Sequence, residues 1–94
     1  MEITLNIEGK EKKFIAPPVS ARRIKDALRL SQKLEQGEIN ENTIDDLSEF
    51  LVGIYGKQFT LDELLDGYPA NDFIGKMLRD VNDIIGDFDE AVKN

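Results

Sequence analysis

The stretch GKQFTLDELLDGYP, Gly56 to Pro69, decides how this chain folds. Thr60 and Glu63 stand at capping-box spacing, where the threonine hydroxyl accepts the Glu63 amide and the Glu63 carboxylate accepts the threonine amide. Leu61, Leu64 and Leu65 give the short helix 60–66 an apolar side, and Gly67 ends it. Pro69 opens the next helix, since a helix's first turn leaves its N–H groups unbonded anyway. On the other side, Gly56 closes a preceding helix in the left-handed region. The stretch therefore reads as a connector that sets the angle between two longer apolar helices.

Its carboxylates invite a comparison with a calcium loop. With Asp62, Asp66 and Gly67 at loop positions 1, 5 and 6, position 3 falls on Leu64 and position 12 on Phe73. Both places need oxygen ligands. Asp62 and Glu63 fit better as first-turn acids at a positive helix end.

Upstream, Ile3, Leu5 and Ile7 alternate with polar residues in EITLNI, the pattern of a half-buried strand. Glu8-Gly9-Lys10 turns, residues 11–15 return, and Ala16-Pro17-Pro18 stops the sheet, giving a β-hairpin over 1–16. Ser20 is the expected N-cap of a helix over 20–36, closed by Gly37. Ala21, Ile24, Ala27, Leu28 and Leu34 share its apolar side, while Arg22, Lys25, Arg29 and Lys33 cluster opposite within about 80°. After a polar connector, Glu38 to Asn42, Thr43 with Asp46 starts a second helix over 43–55, striped by Ile44, Leu47, Phe50, Leu51, Ile54 and Tyr55. Downstream of the connector, the helix 69–92 carries nine large apolar residues from Phe73 to Val92 within about 140° of arc. Asp72, Asp80, Asp83, Asp87 and Glu90 fall largely outside that arc. The expected fold is α+β: one domain spanning 1–94, with an N-terminal hairpin followed by four helices.

Composition narrows the chemistry. The 94 residues contain no cysteine and no histidine, which removes disulfides, thiolate sites and histidine-based acid–base or metal schemes. Adjacent acids such as Asp45/Asp46 diverge by about 100° on a helix and converge on no common point. There is no glycine-rich phosphate loop. No catalytic, metal or cofactor site is expected, and the function expected is binding. No apolar run reaches the roughly 20 residues that span a bilayer, and the N-terminus is not a signal peptide. The net charge of −7 is uneven: residues 1–34 hold eight bases against four acids (+4), and the rest holds four against fifteen (−11). An acidic body of this kind repels a phosphate backbone, so nucleic acid is not the expected partner.

Two surfaces remain, each with two readings. The basic stripe Arg22, Lys25, Arg29 and Lys33 is either a solvated helix face or a docking site for an acidic partner, including the acidic half of a second copy. The stripe of the last helix exceeds the usual arc of about 100°. Its surplus is either buried in the core or a dimer, or open to a partner helix.

The order of elements and the run Tyr55-Gly56-Lys57-Gln58-Phe59-Thr60 through Asp66-Gly67 together resemble the tail assembly chaperones of long-tailed phages and prophages of Gram-positive bacteria. There a helix ends near Gly-x-Gln-Phe-Thr, a short acidic helix ends in Asp-Gly, and a long apolar helix completes the domain. The resemblance covers nearly the whole chain; Tyr68-Pro69 departs from the more helical or acidic start usual at that junction. It implies a non-enzymatic protein of the bacterial host cytoplasm. Such a protein binds the aggregation-prone tape measure protein before tail tube subunits polymerise around it. In many members of that family a programmed frameshift yields a longer form whose extra domain recruits the tube protein; by the resemblance this chain would be the short form. The residues expected to make apolar contact are Phe59, Leu65, Tyr68, Phe73, Met77, Ile84 and Phe88, with Arg22, Lys25, Arg29 and Lys33 for electrostatic docking. The alternatives are a structural tail or tail-completion component, or a small regulatory binding protein.

Overall fold

The computed structural model describes residues 1–93, with side chains through Gly86. Strands β1 (Glu2–Ile7) and β2 (Lys10–Ile15) form an antiparallel hairpin, followed by helices α1 (Arg22–Glu35), α2 (Glu41–Ile54), α3 (Leu61–Gly67) and α4 (Ala70–Lys93). The α+β fold expected from the sequence is the fold observed.

The hairpin turns on two residues, Glu8 (φ 54°) and Gly9 (φ 78°), both left-handed. That is the turn whose twist matches its strands, and glycine adopts it without strain. Its register pairs Ile3 with Phe14 and Leu5 with Lys12. Ile3 and Leu5 are buried, whereas β2 is exposed apart from the half-buried Phe14. One face of β1 thus closes the core.

Helix starts are local hydrogen-bonding decisions, and two differ from expectation. Ser20 does not cap α1: its N-cap is Ala21, which makes no side-chain cap bond. Thr43 does not start α2 either. Asn40 does, accepting the Thr43 amide at 3.0 Å, because its carboxamide oxygen reaches the third amide onward as an N-cap must. The connector expected over 38–42 is therefore partly helix. Thr43 is buried instead, donating its hydroxyl to the Glu38 carbonyl. At the other end of α2, Gly56 takes φ +70°, and the amides of Gly56 and Lys57 reach the carbonyls of Gly53 and Val52. This pair of bonds satisfies carbonyls that a helix end leaves orphaned.

The core joins every element but β2: Ile3 and Leu5 from β1, Ala27 and Leu30 from α1, Leu47, Phe50, Leu51 and Ile54 from α2, Leu64 from α3, and Phe73, Met77, Val81 and Ile84 from α4, with Phe14 of β2 packed against it. Helix α1 packs mainly on α4, α2 bridges α1 and α3, and α3 packs on β1. The inward face of α1 is rotated from the expected one. Leu30 is fully buried, while Leu28 is 42% exposed. The rotation lets Arg29 and Lys33 reach α2.

The buried side of α4 centres on Phe73, Met77, Val81 and Ile84, and includes Asp80 at 3% exposure. Ile74, Leu78 and Ile85 are only half-buried. Asp80 had been placed outside the apolar arc. It lies only about 20° beyond the edge of that arc, and packing turns that edge inward. Its Oδ1 accepts from Lys76 at 3.1 Å, and Lys76 also donates to the Glu2 carbonyl at 2.6 Å, tying α4 to β1.

Candidate functional site

The connector is built as its residues require. Thr60 N–H donates to Glu63 Oε1 at 2.9 Å and Glu63 N–H donates to Thr60 Oγ1 at 3.0 Å, completing the capping box. Phe59 drops under the hairpin, its ring centroid 5.0 Å from Phe14 and 5.6 Å from Tyr55. Gln58 Nε2 donates to both the Ile15 carbonyl (2.7 Å) and the Tyr55 carbonyl (2.8 Å), fastening the end of β2 to the end of α2. Gly67 does not end α3 in the left-handed region. Tyr68 ends it in an extended conformation (ψ 136°), as a residue before proline prefers. Gly67 serves instead to let α3 approach β1.

This connector brings the C-terminal end of α3 beside the start of α4 and the first turn of α2. Where they meet, Ile44, Leu65, Tyr68, Ala70, Phe73 and Ile74 line an apolar groove of about 230 Å³. A second depression of about 400 Å³, lined by Ile39, Asn40, Glu41, Ile44 and Asp45, adjoins it at Ile44, which lines both. Leu65 is 40% and Ile39 53% exposed at its two ends. Tyr68 forms part of the wall, its ring edge-on to Phe73 at 6.1 Å and its hydroxyl donating to Asp72 Oδ2 at 2.7 Å. Burial and that bond push the Tyr68 hydroxyl up to about 12. The same bond, with Arg79 at 3.4 Å, holds Asp72 below the usual carboxylate range. Both groups keep one charge state near neutrality, so this wall is electrostatically constant.

Two larger clefts hold charged side chains that are paired with one another. One, of about 490 Å³ between α1 and α2, holds Arg23 and Arg29 against Asp26 and Asp46. The other, of about 600 Å³ beside β1, is bordered by Lys76, which is already committed to Glu2 and Asp80. Among the described residues no cluster of three acidic side chains is placed to hold a metal ion, and no helix is long and apolar enough to cross a membrane.

Of the residues expected to make apolar contact, Leu65 and Tyr68 stand at the groove surface and Phe73 lies in its floor, 9% exposed. Phe59, Met77 and Ile84 are core residues, at 8% exposure or less. They sit on the side of the connector and of α4 that faces the other elements. Phe88 lies outside the residues whose side chains are described. The basic stripe is divided: Lys33 and Arg29 donate to Asp46 Oδ2 at 2.9 and 3.3 Å, whereas Arg22 and Lys25 are exposed and form no ion pair among the described residues. Asp46 is held below the usual carboxylate range, chiefly by the Lys33 hydrogen bond. Sequence reasoning missed Ile39 and Ile44 as groove residues. The available signal was an isolated isoleucine, Ile39, inside an otherwise polar segment.

The chain belongs to the phage tail chaperone protein family, whose family model matches residues 1–94. No curated protein and no solved structure matches it significantly.

Proposed function

We infer that this chain is a non-enzymatic chaperone of the bacterial host cytoplasm that binds the tape measure protein and keeps it soluble until the tail tube forms around it. The observation that carries this reading, beside the family, is the apolar groove between α2, α3 and α4, with Ile39 and Leu65 exposed at its ends. A long helical partner exposes apolar stripes that aggregate when uncovered. A groove of this kind covers part of such a stripe, while the chain's net charge of −7 keeps the complex soluble. Recruitment of the tube protein would fall to a longer form of the chain, and contacts between neighbouring copies would add avidity along one extended partner.

The test is co-expression with the tape measure protein of the same genome, followed by size-exclusion chromatography with light scattering. A soluble complex holding several copies of this chain, where the tape measure protein alone precipitates, supports the reading. A tape measure protein that still precipitates while this chain elutes alone overturns it. Detection of the chain in finished particles would then favour a structural tail component.

A further inference from the structure

The charged side chains that line the groove are all acidic. Glu41 and Asp45 line its Ile39 end. Asp72 stands at its other end, bonded to Tyr68, and Asp66 follows Leu65 on the exposed surface of α3. No basic side chain lines either part of the groove. Asp72 is paired with Arg79. Glu41, Asp45 and Asp66 form no ion pair among the described residues. Of the nearby bases, Arg29 and Lys33 are paired with Asp46 and Lys76 with Asp80.

The shape of the groove selects a kind of ligand as well. At about 230 Å³ its apolar part is smaller than the roughly 300–1,000 Å³ of small-molecule pockets. It is an open trough between helix ends, and no strand residue lines it. Strand addition needs a free sheet edge, whereas an apolar trough between helix ends matches the mode in which a helix lays its apolar stripe along a groove. Glu41 and Asp45 line the groove itself, and with a Debye length of about 10 Å at 0.1 M salt they act on the flanks of whatever docks there.

We propose that the groove takes a basic amphipathic helix. Its apolar residues at i, i+4 and i+7 rest on Ile44, Leu65, Phe73 and Ile74, and its lysines or arginines face Glu41, Asp45 and Asp66. This rests on the reading of the groove as the docking surface, and adds which segments of a partner it selects. Segments with acidic flanks are rejected because like charges meet across the rim.

The chain contains no tryptophan, so one tryptophan on a synthetic helix of about five turns reports binding by fluorescence. Three peptides are compared: a leucine stripe with lysine flanks, the same stripe with glutamate flanks, and lysine flanks with the leucines replaced by glutamine. The expected result is binding of the first, weakened by added salt, with each of the other two at least about tenfold weaker. Leu65→Asp, at an exposed position, should weaken the first peptide at least about tenfold. Glu41→Lys with Asp45→Lys should shift preference toward the glutamate-flanked peptide. Amide shifts on binding should map to residues 39–45 and 65–74. Equal binding of the lysine- and glutamate-flanked peptides overturns the proposal, as does undiminished binding without leucines. So do amide shifts confined to α1, or no binding at all. If the tape measure protein is kept soluble while the lysine-flanked peptide does not bind, the chaperone reading stands and this inference falls. If the peptide binds as described while the tape measure protein precipitates, the reverse holds.

Discussion

Gly67 lies against the backbone of Asn6: a methyl group at position 67 would sit 2.7 Å from the Asn6 carbonyl oxygen and 3.2 Å from its amide nitrogen. Neither atom belongs to a flexible side chain, so relief requires α3 to move away from β1. Gly67→Ala should therefore cost about 1–3 kcal/mol, the range for overpacking a filled site. Gly86→Ala is the control. It meets nothing within 4 Å, and in a helix interior it should stabilise by about 0.5–1 kcal/mol. Urea denaturation of both variants checks the pair; a neutral Gly67→Ala would show that α3 and β1 are not held this closely.

Gln58 joins two carbonyls forty residues apart in sequence, Ile15 and Tyr55. Gln58→Ala should cost about 1 kcal/mol. It should also raise amide exchange at the end of β2 more than in α4, because only the hairpin loses an anchor. Uniformly faster exchange would place the effect in global stability instead.

Thr60→Ala removes the capping hydroxyl and should cost about 1 kcal/mol, whereas Thr60→Ser should be nearly neutral. The same substitution made in a Glu63→Ala background should cost less, since the two halves of the box support each other. Additive losses in a double-mutant cycle would argue that the two bonds act independently.

Leu65 and Met77 differ in their commitment to the core, at 40% and 1% exposure. Met77→Ala should cost about 2–5 kcal/mol, and Leu65→Ala less than about 1 kcal/mol. A large loss at Leu65 would show that it supports the fold, and would weaken its assignment to a docking surface.

Asp80 is the buried acid of α4. Burial pushes its carboxyl above the ordinary value of 3.8, against the pull of Lys76, while its Oδ2 and the Tyr55 hydroxyl are buried without hydrogen-bond partners among the described residues. The folded chain therefore holds this proton more tightly than the unfolded chain. Its contribution is fully present below 3.8 and is lost as pH rises through the folded value. Asp46 has the opposite sign: its lowered value gives stability that is present above 3.8 and lost as pH falls through the folded value. Relative to the natural chain, Asp80→Asn should gain stability between about pH 4 and pH 7, and Asp46→Asn should lose least at the acid end. Urea midpoints across that range read both trends, and pH-independent differences would contradict them.

Features settled within three or four residues were legible in the chain itself. The hairpin turn near Glu8-Gly9-Lys10, the Thr60–Glu63 box, the left-handed closure at Gly56 and the period of each helix could be read because their partners are neighbours in the chain. At the starts of α1 and α2 the observed N-caps, Ala21 and Asn40, lie within three residues of Ser20 and Thr43. The family, too, was legible in the order of elements and the Gly56–Gly67 run. Only the tertiary structure decided which part of an apolar stripe turns inward. The arc on α4 is about 140° wide, more than one contact surface requires, and its neighbours took the Phe73–Met77–Ile84 edge together with Asp80. That left Ile74, Leu78 and Ile85 at the flank. The same choice on α1 buried Leu30, exposed Leu28 and spent Arg29 and Lys33 on Asp46. The groove belongs wholly to this second category. Ile44, Leu65 and Ile74 come from three different helices and line one groove, with α3 held against β1 at Gly67.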